Sequence, residues 1–284
     1  MEADQYKPSE SVKTSEGKQY HINLGPGELA EYILLSVDQK RAKRISESFD
    51  KVTLNRYSRE IMTYTGIYKG IPISVIGTGI GQDNTEIIVV EAVQLFTEKK
   101  PTMIRVGSCG GLREEIGIGD LIVSTAAVRM ENTSTYFVDE GYPGVANYEV
   151  VLALITAADN QSTPYHVGLT ASTSGFFGAQ GREVGGLKSK DPDTPRRLAE
   201  WNVLNMEMEC STLFTLGSLA GVRTGCVCTA YSNRTRGEFI SDKQRVVSDQ
   251  AAEQVSLEAI RILAEMDRWK ALNQKSNFIP KIDF

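Results

Sequence analysis

A chain of 284 residues, 41% hydrophobic and 24% charged, has the composition of a soluble globular protein and is long enough to bury a sizeable core in one large α/β domain or two small ones. Its net charge of -5 argues against a nucleic-acid binder, and no apolar run nears the roughly 20 residues that cross a bilayer. The polar, charged segment 1–18 fits neither a signal nor a transit peptide; it is expected to be a disordered leader, before a domain over 19–273 and a polar tail over 274–284.

Ile33 to Leu35 reads as a short buried strand and Gln39 to Phe49 as a basic helix. Arg41, Lys43 and Arg44 crowd the first turns of that helix, where cations oppose the macrodipole by roughly a few tenths of a kcal/mol each. Either an anionic ligand holds one of them, or the face is simply solvated. Tyr57-Ser58-Arg59-Glu60 precedes a predicted hairpin, Met62 to Ile67 and Ile71 to Ile76. Gly77-Thr78-Gly79-Ile80-Gly81 then opens a helix over Asn84 to Phe96. Its spacing departs from the dinucleotide fingerprint and points only to a close backbone approach.

The stretch from Met103 to Gly111 carries more chemistry. Arg105 inside a hydrophobic strand is costly to bury unless it is paired or holds an anion. Ser108 and the glycines after it offer the hydroxyl and N–H groups of an anion nest. Phosphate or carboxylate binding is one reading; an arginine satisfied by an internal glutamate is the other.

Gly119-Asp120 leads into a strand over Leu121 to Ala127, a loop over Arg129 to Gly144, a helix over Tyr148 to Asp159 and a strand over His166 to Ala171. In Phe176 to Arg182, Gln180 and Arg182 could read both edges of a planar amide-imide ring, with Phe176 and Phe177 stacking on its face. A plain surface loop is the alternative. Leu187 to Arg197, proline-rich and charged, reads as a surface loop and a candidate lid. If Asn205 to Glu209 is extended, Glu207 and Glu209 point one way and Met208 the other. Two such carboxylates suit the vicinal hydroxyls of a sugar, or else mark a solvated edge strand. A helix-like apolar run over Ser211 to Ala220, a strand over Gly225 to Ala230 and a helix over Asp242 to Trp269 close the chain. Cys109, Cys210, Cys226 and Cys228 lie in apolar stretches without metal-ligand spacing, so reduced core thiols are expected, with no zinc and no disulfide. Strands alternating with helices predict a single α/β domain around a central sheet.

Taken in order, Arg105-Val-Gly-Ser-Cys-Gly-Gly, Gly117-Ile-Gly-Asp120, His166-Val-Gly-Leu-Thr-Ala-Ser, Gln180-Gly-Arg182 and Asn205-Met-Glu-Met-Glu209 resemble the nucleoside phosphorylase-I superfamily, in its pyrimidine-cleaving branch. The resemblance runs from about His21 to the C-terminal helix. It implies a three-layer α/β/α fold with a mixed sheet, and phosphorolysis of uridine (deoxyuridine and thymidine being open) to uracil and ribose 1-phosphate in pyrimidine salvage. By the same resemblance, Arg41, Arg105 and Ser108 hold phosphate, and Arg59 comes from a neighbouring subunit. Glu209 and Met208 hold the ribose, and His21 meets its 5′-hydroxyl across a dimer interface. Phe176, Gln180, Arg182 and Glu207 surround the base. Arg105, Arg182 and Glu209 are the implied catalytic groups. The resemblance further implies a cytoplasmic homohexamer with active sites shared across each dimer, no cofactor, and phosphate as co-substrate. A monovalent cation such as potassium is implied at the dimer interface, where Glu60 and Ile80 match ligands and Asn84 replaces a serine.

One departure stands out. Where the family has Pro-Gly-Asp-Pro-x-Arg, this chain has Ser36-Val37-Asp38-Gln39-Lys40-Arg41. Val37 replaces a glycine and tolerates positive φ poorly, so a weakened or shifted phosphate loop is expected. Asn233 occupies the place of the aspartate that serves purine N7, and an amide is no general acid. A purine-nucleoside phosphorylase, a hydrolase using water, and a catalytically silent nucleoside binder remain as alternatives.

Overall fold

The computed structural model describes residues 7–280. β1 (Tyr32–Ser36) buries Ile33, Leu34 and Leu35, as an interior parallel strand covered on both faces must. α1 (Gln39–Glu47) follows, opened by Asp38, whose side chain accepts from Lys40 N. β2 (Lys51–Ser58), β3 (Ile61–Tyr68) and β4 (Ile71–Gly77) form an antiparallel meander that joins β1 in parallel through β4. The sequence reading assigns no strand to β2, because most of its residues are exposed and only pairing with β3 defines it.

Next come α2 (Gln82–Val93), β5 (Thr102–Gly111), β6 (Leu121–Met130), β7 (Gly144–Val145), α3 (Tyr148–Asn160), β8 (Tyr165–Thr173) and α4 (Thr194–Glu200). β9 (Val203–Glu207), α5 (Cys210–Ala220), β10 (Arg223–Asn233), β11 (Glu238–Phe239) and α6 (Asp242–Asn273) complete the described chain. The sheet is mixed, as expected, and it also closes on itself. β10 pairs β5 in parallel and β6 antiparallel; β6, β8 and β9 pair in parallel; β9 returns antiparallel to β5. Closure leaves this ring no free edge. One apolar cluster sits between the sheet and α1, α3 and α6, and a second between the sheet and α2 and α5. These are the three layers.

Three segments differ from expectation. The stretch read as a surface loop over Leu187 to Arg197 runs into α4, with Pro195 in its first turn. The loop after β6 is tethered: Arg129 donates to Ser134 Oγ and to the carbonyls of Asp139, Glu140 and Tyr142. The tail is anchored by Phe278, whose ring meets Trp269 at 5.3 Å and whose N–H donates to Glu149 at 2.8 Å. Of the expected leader, Lys13 forms a bridge with Gln19; residues 1–6, like 281–284 of the tail, lie outside the described residues.

Candidate active site

A cavity of about 250 Å³ opens at the carboxyl ends of β5, β9 and β10. It gathers Arg105, Ser108, Glu207, Met208 and Glu209 with Phe176, Gln180 and Arg182 from the segment after β8. These residues are scattered over a hundred positions of sequence and come together because β5 is paired on both sides, by β9 and by β10.

At its floor one guanidinium serves two carboxylates. Arg105 Nε donates to Glu207 Oε2 at 2.8 Å, and Nη2 lies 2.5 Å from Glu209 Oε2. Arg105 Nη1 is buried and has no acceptor among the described residues. Of the two sequence-based readings of Arg105, the pairing with an internal glutamate is present, and one donor is left over. Burial opposes its charge, yet Glu209 and Glu207 hold its pKa well above the ordinary guanidinium value.

Glu207 and Glu209 do face the same way, towards one cation, but their duties differ. Glu207 also accepts from Ser172 Oγ, from Glu209 N at 2.8 Å and from Cys210 N at 3.0 Å, so it caps the start of α5. Its side chain is fully buried and its acceptors are already taken, so Glu207 lines the cavity chiefly as an anchor for Arg105 and α5. Glu209, at the N-cap of α5, accepts from Gly81 N at 2.7 Å. Burial pushes the Glu209 carboxyl up to about 7; Arg105 and the Gly81 N–H pull against this and Glu207 adds to it.

The other wall is the Phe176–Arg182 segment. Arg182 Cζ stacks 3.9 Å over the Phe176 ring, and its Nη1 donates to Phe176 O at 2.7 Å and to Gln180 Oε1. Gln180 Nε2 donates to Thr173 Oγ1 at 3.0 Å, which fixes the amide orientation. Burial and the neighbouring Arg234 lower the Arg182 pKa to about 10. Arg234, missed by the sequence reading, donates to Gln180 O at 3.2 Å. No spacing signal marked it; only β10 delivers it there.

Several expected site residues lie elsewhere. Arg41, expected on phosphate, is buried against Asp249 and is not among the residues lining the cavity. Arg59 is exposed at the β2–β3 turn with φ +55°, over the Tyr20 ring, and His21 Nδ1 meets Glu91 at 2.6 Å. Ile80 lines the cavity, while its carbonyl accepts from Asn84 Nδ2 at 3.0 Å and Glu60 O accepts from Gln39. Asn233 is fully buried, donating to the carbonyls of Arg113 and Ile116 and accepting from Thr235 N and Arg236 N. It ties down a turn and offers the cavity nothing. Val37 lines the cavity without a positive φ, so the predicted backbone strain does not arise.

The strand-end cavity thus gathers a guanidinium, two carboxylates and an amide–guanidinium pair, groups with the chemistry to meet an anion, hydroxyls and the edge of a planar ring. Comparison with known proteins places it. A sequence model of the phosphorylase superfamily matches residues 31–264, and the chain belongs to that superfamily. It is 43% identical to a uridine phosphorylase of Thermococcus kodakarensis over 94% of both chains. It is 32% identical to that of Escherichia coli over 86% of this chain and 97% of the relative. A guanosine phosphorylase of Halorubrum lacusprofundi is 29% identical over 78% of this chain and 86% of the relative. Among solved structures, a uridine phosphorylase from Vibrio fischeri, complexed with 6-hydroxy-1-naphthoic acid, superposes with a TM-score of 0.75 at 27% identity, covering 87% of this chain and 97% of that one.

Proposed function

We propose that the protein is a pentosyltransferase that cleaves uridine with inorganic phosphate, releasing uracil and ribose 1-phosphate in pyrimidine salvage. The observation that supports this most is the meeting of Arg105 and Ser108, Glu209, and the Gln180–Arg182 pair in one cavity. In this reading phosphate lies against Arg105 and Ser108. Glu209 accepts the ribose hydroxyls and Met208 packs on the sugar. Phe176 covers the base, whose amide-imide edge meets Gln180 and Arg182.

As phosphate oxygen bonds to the anomeric carbon, the carbon–nitrogen bond breaks with its electron pair leaving on uracil. Positive charge grows on the sugar beside Glu209, and negative charge on the base beside Arg182 and Arg234. Groups fixed before the reaction lower the barrier, because no reorganisation is needed as charge develops. Arg182 and Arg234 have no carboxylate partner among the described residues, so their positive charge is open to the leaving anion.

Arg59 and His21 lie outside the cavity; a second copy of the chain is the proposed source of both at each site, in a homohexamer built from dimers. No cofactor is called for beyond phosphate as co-substrate. A potassium ion at Glu60, Ile80 and Asn84 would require the Asn84 amide to turn its oxygen inward. A cytoplasmic location accords with four free thiols and with the lack, among the described residues, of a helix able to cross a membrane.

The test is uracil release from uridine with and without inorganic phosphate, with inosine alongside and deoxyuridine and thymidine as further substrates. Phosphate-dependent release from uridine is expected. Release without phosphate would mean a hydrolase, preferential inosine cleavage a purine enzyme, and no release a silent binder.

A further inference from the structure

β8 ends at Thr173, whose hydroxyl stands behind the base-reading wall of the cavity. Its Oγ1 carries a single hydrogen, and a backbone carbonyl takes it, that of Gly175 at 3.1 Å or of Glu207 at 3.4 Å. Towards Gln180 Nε2, 3.0 Å away, Oγ1 can therefore only accept. At the other end of the amide, Arg182 Nη1 donates to Gln180 Oε1, and a guanidinium has no acceptor to offer. An acceptor thus holds the nitrogen and a donor holds the oxygen.

A reversed amide fails at both ends. Its NH2 group would face the Arg182 guanidinium, donor against donor, and its oxygen would suit Thr173 only if the hydroxyl gave up its carbonyl. Thr173 is 0% exposed and Gln180 3%, so little water is at hand to repair either loss. The segment that carries the amide is pinned as well. Gln180 N donates to Phe177 O at 3.1 Å, Gln180 O accepts from Arg234 at 3.2 Å, and Ser189 Oγ donates to Gly178 O at 2.7 Å.

With one N–H on Thr173 and one lone pair on Arg182, the Gln180 amide keeps one N–H and one lone pair for the cavity that it lines. Their order is fixed. Uracil carries its N3–H donor between two carbonyls, so N3–H meets Oε1 and a neighbouring carbonyl meets Nε2. Cytosine has the same size, but a lone pair at N3 and an amino group at C4. That ring sets acceptor against acceptor at Oε1.

We propose that Thr173 is a positioning residue for base choice: its hydroxyl, opposed by Arg182, locks the Gln180 amide with the oxygen turned to an N3–H, so that the cavity takes uracil and rejects cytosine. The proposal rests on the uridine reading of the cavity, and its test separates the two.

Uridine affinity would be measured by calorimetric titration of the full chain without phosphate, so that no turnover intervenes. The proteins are the wild type, Thr173→Val, Thr173→Ser, Gln180→Ala and the double variant Thr173→Val/Gln180→Ala. Thr173→Val is expected to weaken uridine binding about tenfold, the size of one lost hydrogen bond. Thr173→Ser keeps the hydroxyl and should stay within about threefold of wild type. In the Gln180→Ala background, Thr173→Val should cost less than about threefold more, because the hydroxyl acts through the amide. Equal losses in both backgrounds, or an equal loss in the serine variant, would overturn the proposal, since a side chain needed only for packing costs the same without Gln180. Thr173→Ala repeats the measurement should the valine variant not fold. Cytidine forms the second arm: the wild type should bind it at least about tenfold more weakly than uridine, and a smaller difference overturns the proposal. A wild type that binds uridine but does not cleave it with phosphate defeats the phosphorolysis reading alone, and the affinities still decide the role of Thr173. A wild type that binds no uridine overturns both.

Discussion

Gly107 lies directly beneath the guanidinium of Arg105. A Cβ on Gly107 would stand 2.3 Å from Nη1, 2.5 Å from Cζ and 2.7 Å from Nη2. The arginine folds back along its own strand onto the bare Cα two residues on, and this places it between Glu207 and Glu209.

Gly107→Ala should therefore displace Arg105. The expected result is a fall of about a hundredfold in kcat/KM for phosphate, the size associated with loss of one preorganised charge-stabilising group. Gly110→Ala serves as the comparison, since its Cβ would meet Ser232 Oγ at 3.0 Å and Arg234 Cγ at 3.4 Å, looser contacts than those at Gly107, and should cost far less. Equal losses in the two variants would contradict this role for Gly107.

Glu209 predicts a pH slope in stability. Its folded pKa of about 7 lies above the ordinary value of 4.5, so burial disfavours the ionised form. The associated stability is fully present below about pH 4.5 and is lost as pH rises through about 7. Glu209→Gln should flatten this slope, so that its stability relative to wild type improves from pH 4.5 to pH 8, as read by denaturant unfolding. Uridine turnover should still collapse, because an amide is a poorer acceptor for two hydroxyls.

Gln180→Ala should damage uridine cleavage more than inosine cleavage. The Gln180 amide is oriented by Thr173 and Arg182, and a positioned hydrogen-bonding group discriminates by what is left unpaired. Equal losses for both nucleosides, measured as kcat/KM, would refute the base-reading role.

Away from the cavity, Asp267 binds Arg223, Lys270 and Tyr32 near the foot of α6. Although burial opposes it, the hydrogen bonds from Arg223 and Tyr32 and the Arg223 charge hold the Asp267 carboxyl down to about 2. Its contribution is present above the unfolded value of 3.8 and is lost as pH falls through about 2. Asp267→Asn should cost about 1–2 kcal/mol at pH 7, after allowance for partial solvent screening, and the difference should shrink on acidification. A deficit in denaturant unfolding that does not change with pH would count against it.

Much of the site was legible because its chemistry is carried by short local patterns. Gln180 and Arg182 stand two residues apart in a glycine-containing turn, and Glu207 and Glu209 flank Met208 where a strand meets a helix. Arg105 was legible because a guanidinium in an apolar strand demands a partner. The pairing of Arg41 was not legible, because its motif position says nothing about α6, more than 200 residues later, whose Asp249 and Glu253 face its charge. Glu207 carries a further duty hidden for the same kind of reason: sequence shows a carboxylate, but not the N–H groups at the start of α5 that claim it.

By itself the sequence determined the alternation of strands and helices, the superfamily pattern and the residue types that meet phosphate, sugar and base chemistry, since these follow from local periodicity and spacing. Only the tertiary structure decided that the sheet closes into a ring around β5, that Arg234 joins Arg182, and that Asn233 turns away from the cavity. It also decided which of the arginines line the cavity. A charge is a property of a residue, but whether it is available depends on which distant groups neutralise it first, and that is set by packing alone.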